Sequence, residues 1–214
     1  MVLRNFIVFE GIDGSGTSTQ LSLLKEKLQN HQVFFTAEPT DNPIGKFIRT
    51  ILKGDVTLHP ETTARLFAAD RSEHIYGEKG IQELCQNNTF VFSDRYLFSS
   101  LAYQAITCGK TIPEKLNEDF PLPEYLFYFK LPVETALSRI TSRNGTREIF
   151  EKKEFLEKTS QEYDRVIEEY QRKPQAASKM NIITVDSQMP VEEIANFIWS
   201  IIEKLPIRKC EKTS

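Results

Sequence analysis

The sequence predicts an α/β fold, a doubly wound five-stranded parallel sheet flanked by helices on both faces. Three observations carry this. Short, continuous apolar runs recur along the chain, as in parallel strands buried on both sides. Segments with the spacing of amphipathic helices separate them, as βαβ units require. The first run ends in a glycine-rich turn that leads straight into a helix.

Phe6-Ile7-Val8-Phe9 is the opening strand. Val33-Phe34-Phe35, Phe90-Val91-Phe92, Leu126-Phe127-Tyr128-Phe129 and Ile182-Ile183-Thr184-Val185 are the other four. After the first strand, Leu21, Leu24 and Leu28 share one helix face while Lys25, Glu26 and Lys27 cover the other. Further helices are expected over residues 44–53, 60–86, 97–107, 133–140, 152–172 and 191–204. Pro60 and Pro190 suit a first helical turn, where a missing N–H costs nothing. Residues 1–206 are expected to form one domain and 207–214 a polar, frayed tail.

With 214 residues, 40% hydrophobic and 27% charged, the chain can bury one full core. The formal net charge of -3 lacks the broad basic field of a dedicated nucleic-acid binder, so no nucleic-acid partner is expected. Cys85, Cys108 and Cys210 are odd in number and far apart, and His31, His59 and His74 do not complete a zinc site with them. Reduced thiols in the cytoplasm are the expectation. Apolar runs fall short of a membrane span, and residues 1–10 lack the long apolar region of a signal peptide.

The turn after the first strand reads Gly11-Ile12-Asp13-Gly14-Ser15-Gly16-Thr17-Ser18 and runs into Thr19 on the helix. Its glycines let several backbone N–H groups and a helix N-terminus face one anion, the layout of a phosphate-binding loop. Alone, such a cluster is equally a tight strand-to-helix turn; its placement between strand and helix favours phosphate. Ser18 falls where a hydroxyl holds Mg²⁺. The pattern asks for Lys where this chain has Thr17. A charge-assisted hydrogen bond is worth roughly 1.5–3 kcal/mol, so its loss costs about ten- to a hundred-fold unless another cation substitutes.

The third strand ends in Ser93-Asp94-Arg95-Tyr96, at the sheet edge where ligands of such folds bind. Asp94 can hold Mg²⁺ through water, and Arg95 can fork onto phosphate oxygens; taken alone, Asp94-Arg95-Tyr96 reads better as a surface ion pair. Asp13 lies unusually close to phosphates: it accepts from a sugar 3′-hydroxyl, holds Mg²⁺ through water, or is a turn residue. Glu10 is a candidate for the same cation network.

Arg65-Leu66-Phe67-Ala68-Ala69-Asp70-Arg71-Ser72-Glu73-His74 and Asp94-Arg95-Tyr96-Leu97-Phe98-Ser99-Ser100-Leu101-Ala102-Tyr103-Gln104 follow in order behind Phe-Glu-Gly-Ile-Asp-Gly. Here the sequence resembles the thymidylate kinase family, from about Phe6 to the last helix. Glu38-Pro39-Thr40 is similar to the family's acidic-proline turn, with Ala37 where arginine is common. The resemblance implies a P-loop nucleoside monophosphate kinase that moves the γ-phosphoryl group of ATP, with Mg²⁺, onto dTMP. It implies that Phe67 stacks on thymine and that Arg71 donates to its O4, residues four apart sharing a helix face. Ser99, Ser100 and Gln104 would contact the base, sugar or phosphate beside Glu38 and Pro39. Tyr103 either sits under the deoxyribose, disfavouring a 2′-hydroxyl, or is a core tyrosine.

Arg139, Arg143 and Arg147, four apart and running into Asn144-Gly145-Thr146, resemble the mobile lid of such kinases, spanning about residues 139–151. They are equally a solvated helix face with Glu148 and Glu151. With Thr17 in the loop, Arg143 or Arg147 is expected to bring the missing charge. Tyr163 approaches the substrate from the next helix or packs in the core. The helices over 60–86 and 97–107 carry more apolar residues, including Phe98, Leu101, Ala102, Ala105 and Ile106, than one sheet face needs, so a homodimer is expected. Two alternatives stand beside the dTMP reading: a kinase for another nucleotide or deoxynucleoside, and a catalytically weak nucleotide-binding protein lacking its loop lysine.

Overall fold

The computed structural model describes residues 1–144, 149–172 and 180–210. Its five strands are β1 (Val2–Gly11), β2 (Val33–Ala37), β3 (Phe90–Asp94), β4 (Leu122–Lys130) and β5 (Asn181–Asp186). They form one sheet in the order β2-β3-β1-β4-β5, every pairing parallel. The helices are α1 (Thr17–Lys27), α2 (Pro43–Leu52), α3 (Pro60–Tyr76), α4 (Ile81–Gln86), α5 (Leu97–Cys108), α6 (Thr111–Asn117), α7 (Val133–Asn144), α8 (Ile149–Arg172) and, from the last α-helical segment, α9 (Val191–Ile202).

The continuous apolar runs have a direct cause. Successive side chains of a strand point to opposite faces, and both faces here are covered. Phe6 and Val8 join one core with Ile75, Leu97, Leu101 and Tyr163. Ile7 and Phe9 join the other with Leu21, Leu24, Ile194 and Ile198. The chain therefore leaves β1 into α1 on one face and leaves β3 into α5 on the other. This reversal between neighbouring strands opens a crevice at their carboxyl ends.

The expected helix over 60–86 is two helices. α3 stops at Tyr76 and α4 starts at Ile81, with Lys79 at φ 55 between them. Gly77 and Gly80 make the break: a Cβ on Gly77 would lie 2.5 Å from the Glu73 carbonyl, and one on Gly80 would lie 2.7 Å from that of Ile75. α6 was not expected from the sequence at all. Helix α7 runs on to Asn144, and α8 begins at Ile149.

Residues 207–210, expected to fray, are tied to the α1–β2 connection: Gln32 N donates to Arg208 O at 2.8 Å, and Cys210 N donates to Asn30 O at 2.8 Å. Of the residues offered as reasons for a homodimer, Phe98, Leu101, Ala102 and Ala105 are buried within their own chain and Ile106 is half-buried. Phe98 and Ala102 are wholly buried, and Phe98 meets Tyr170 of α8 edge to face. No described helix is long and apolar enough to cross a membrane.

Candidate active site

The β1–α1 loop occupies the crevice. Gly14 and Gly16 have φ of 84° and 98°, left-handed conformations that cost glycine least. A Cβ on Gly14 would also lie 2.9 Å from the Ala136 carbonyl of α7. Ser15 N closes the turn onto Ile12 O at 3.0 Å. The first-turn N–H groups of α1, from Thr17 onward through Ser18 and Thr19, have no acceptor within their helix and carry the positive end of its dipole. Thr17 is neutral and buried, so position 17 extends no side-chain charge over the loop.

Parallel pairing of Phe9 with Asp94 sets the ends of β1 and β3 side by side. Two contacts bridge them. Ser18 Oγ donates to Asp94 Oδ2 at 2.5 Å, while the buried Asp94 Oδ1 has no partner among the described residues. Arg95 Nη2 donates to Asp13 Oδ1 at 2.5 Å, and Asp13 N donates to the Tyr103 hydroxyl at 3.2 Å. Sequence reasoning proposed Ser18, Asp94 and Asp13 as cation ligands, and the fold brings Ser18 and Asp94 into contact. Among the described residues no three His, Cys, Asp or Glu side chains form a metal cage. An oxygen pair with one free lone-pair set instead suits an ion held jointly with phosphate oxygens.

Arg95 adopts φ 71°, unusual for a residue with a side chain. Its N–H donates to Phe9 O at 2.9 Å and Ser93 Oγ donates to its carbonyl at 2.7 Å, which hold that conformation. The side chain is thereby turned onto the loop. Nη1 donates to Gly11 O, Ser99 Oγ and Tyr163 Oη at 3.1–3.3 Å. Burial opposes its charge, yet the groups around it raise its affinity for the proton well above the ordinary arginine value, so it stays cationic.

Behind Arg95 lies Glu10, fully buried. Its Oε1 accepts from Tyr96 N (2.8 Å) and Ser99 N (3.1 Å), its Oε2 from Ser99 Oγ (2.7 Å) and Tyr163 Oη (2.8 Å). Burial pushes its pKa up to about 7, against the opposing pull of Arg95 and these hydroxyls. Glu10 was expected in the cation network; with both oxygens taken by these donors, it faces Ser99 and Tyr163 instead. Tyr163, left open between substrate and core, is wholly buried with its hydroxyl among Glu10, Ser99 and Arg95.

The second half of the crevice is lined by α3 and α5. Arg71, 1% exposed, donates from Nε (2.9 Å) and Nη2 (2.6 Å) to Glu38 Oε2, from Nη2 to Ser100 Oγ (3.0 Å), and from Nη1 to Asn117 Oδ1. Burial pushes the Glu38 carboxyl up, but the Arg71 charge and the His74 bond outweigh it and hold it below the usual value. Asp70 takes Thr40 N at 2.8 Å and Thr40 Oγ1 at 2.6 Å, so the 38–40 turn containing Pro39 is gripped by one face of α3. Phe67, one turn earlier, is half-exposed. Ser100 bonds to Arg71, whereas Gln104 Oε1 is buried with no partner among the described residues. The Tyr103 ring lies 5.3 Å from the Arg95 guanidinium.

Of the three arginines assigned to a lid, Arg139 is committed to the scaffold, donating to Gly14 O at 3.3 Å and Ser187 O at 2.8 Å. The Arg143 side chain and all of Arg147 lie outside the described residues.

Residues 9–198 match the family described as Thymidylate kinase. The chain belongs to the thymidylate kinase family. It is 40% identical to a Treponema pallidum (strain Nichols) protein named "Putative thymidylate kinase", over 90% of this chain and 92% of that one. It is 39% identical to a "Probable thymidylate kinase" of Methanocaldococcus jannaschii, over 96% of this chain and 100% of the relative. A Methanococcus maripaludis (strain S2 / LL) "Probable thymidylate kinase" is 40% identical over 95% and 98%.

Membership makes this chain an enzyme of the nucleoside monophosphate kinase class and agrees with the parallel sheet. Around the thymidylate kinase signatures, sequence reasoning missed Thr36, His74 and Asn117 as partners of the site. Asn117 belongs to the unexpected α6. His74 stood inside a quoted signature and, three residues after Arg71, on its helix face; that spacing was the available signal.

Proposed function

We propose that this protein phosphorylates dTMP, transferring the γ-phosphoryl group of ATP to give dTDP and ADP. A phosphate oxygen of dTMP attacks the γ-phosphorus, and the bond to the β–γ bridging oxygen breaks. That oxygen is already ionised at neutral pH, so positioning and charge neutralisation suffice. The loop from Gly11 to Thr19 cradles the ATP phosphates, and Arg95 leaves Asp13 to hold the acceptor phosphate. Ser18 and Asp94 are the residues to hold Mg²⁺, which when bound offsets charge on the ATP oxygens.

One observation carries the choice of base. A guanidinium has five N–H groups, and Arg71 spends four on Glu38, Ser100 and Asn117, leaving one on Nη1 among the described residues. Gln104 Oε1 is an unused acceptor on the adjoining helix. One donor and one acceptor complement the O4 and N3–H of thymine, with Phe67 against its face. Cytosine presents the reverse pattern, leaving both groups unpaired, the mismatch that sites discriminate best. A coupled assay across dTMP, dUMP, UMP, CMP and thymidine tests this: dTMP should be the preferred acceptor, and preference for any other overturns the assignment.

The same reading puts the enzyme in the cytoplasm as a homodimer. Phe47 and Leu52 on α2 and Tyr76 on α3 are 42%, 62% and 53% exposed and supply apolar surface for a partner copy.

A further inference from the structure

His74 is not absorbed by the roles above, yet it is nearly buried and bonded at both ring nitrogens. Nδ1 lies 3.1 Å from Glu38 Oε1, and Nε2 lies 2.7 Å from Thr36 Oγ1 on β2. The side chains of His74, Glu38 and Arg71 are 9%, 4% and 1% exposed. A carboxylate only accepts, so Nδ1 carries the proton; in the neutral ring Nε2 then accepts from the Thr36 hydroxyl. Every hydrogen in the series Thr36, His74, Glu38, Arg71 has one direction.

The geometry points to His74 as a positioning residue: through Glu38 it fixes the Arg71 guanidinium so that a single N–H faces the base. Glu38 has two oxygens. Arg71 Nε and Nη2 both converge on Oε2, so this pair is not the planar two-oxygen fork that would fix the carboxylate unaided. His74 takes Oε1 and stops the carboxyl group turning about its own axis. Were it free to turn, the Nε and Nη2 bonds would loosen, the guanidinium would tilt, and donor-against-acceptor discrimination would blur. The Thr36 hydroxyl in turn sets the tautomer and the ring plane, as outer hydrogen-bond partners do for ligating histidines.

This rests on the proposed dTMP reading, and the test separates the two. Asparagine places its amide nitrogen near the Nδ1 position of histidine, and glutamine places its own near Nε2. His74→Asn therefore keeps the bond to Glu38, and His74→Gln keeps only the side facing Thr36. Steady-state kinetics with dTMP and dCMP should show KM for dTMP raised about tenfold or more in His74→Gln, the scale of one lost charge-assisted hydrogen bond. The dTMP-over-dCMP preference should fall with it. His74→Asn should stay within about threefold of the parent, half that range on a logarithmic scale. In both variants kcat and KM for ATP should hold. Equal damage in the two variants, or a loss shared equally by dTMP and dCMP, would overturn the positioning role and leave His74 as packing. If the parent protein prefers dCMP, the functional reading itself fails first. Should His74→Gln not fold, Thr36→Val, which frees the ring on its far side, must lower the same preference, and an unchanged preference there overturns the proposal.

Discussion

Replacing Glu10 by Gln should change the pH dependence of stability in a direction fixed by the structure. Glu10 is wholly buried at the end of β1, and burial raises its pKa from 4.5 to about 7. An acid raised in the folded state binds more protons there than in the unfolded chain, so folding stability is lost as pH rises from 4.5 through 7. From these two values the buried carboxyl costs about 1 kcal/mol at pH 5 and about 3 kcal/mol at pH 8, net of the bonds it accepts. Glutamine has the same shape and no such dependence. The stability of Glu10→Gln minus that of the parent should therefore rise by about 2–3 kcal/mol between pH 5 and pH 8, other titrating groups cancelling in the difference. For a chain of this length that is a relative shift in Tm of about 5–10 °C. Urea unfolding of both proteins without nucleotide, at pH 5, 6, 7 and 8, measures it. A difference that stays flat with pH would show that the four donors on Glu10 stabilise its charge as well as water does, and the reasoning would be refuted. The buried carboxylate is retained at this cost because its acceptors orient the Ser99 and Tyr163 hydroxyls that receive Arg95.

Thr17→Lys should leave kcat within about threefold, because Arg143 or Arg147 already supplies the charge; a rise of about ten- to a hundred-fold, the worth of one charge-assisted hydrogen bond to a phosphate, would mean that no other cation fills the role. Arg143→Ala and Arg147→Ala test which arginine it is: at least one should lower kcat about tenfold or more, and if both leave phosphoryl transfer intact, lid compensation is wrong. Sedimentation at micromolar concentration should report a dimer, and a monomer would exclude the proposed assembly.

The parts of this protein legible in its sequence are those set by local periodicity. The five strands read directly because each is buried on both faces, and the glycine loop reads because strand, turn and helix are consecutive. Asp94 and Arg95 read as site residues because the carboxyl end of a parallel strand is where such folds place ligands. Boundaries failed where one residue type does two jobs: Gly77 and Gly80 end α3 through close carbonyl contacts that no spacing rule measures. The apolar surplus on α5 has a tertiary cause that spacing does not show, since α8 packs on that second face within the same chain.

The unread part of the site consists of residues whose meaning lies in a distant partner. Tyr163 and Glu10 are 153 positions apart and share one hydrogen bond; Thr36, Glu38 and His74 meet only when β2 lies beside α3. Glu38 alone stood in a ligand-contacting pattern, the acidic-proline turn; the others touch no substrate in the proposed scheme, so no such pattern selects them. Glu10, Glu38 and Tyr163 are buried, Thr36 and His74 partly so, and the side-chain polar atoms of all five are directed. An arginine that must release Asp13 for a phosphate, and another that must offer one N–H and no more, both need a rigid surround, because a loosely held guanidinium re-pairs with whatever carboxylate is nearest. In this fold, reading the base and neutralising the phosphate are therefore properties of the carboxylates behind the two arginines as much as of the arginines themselves.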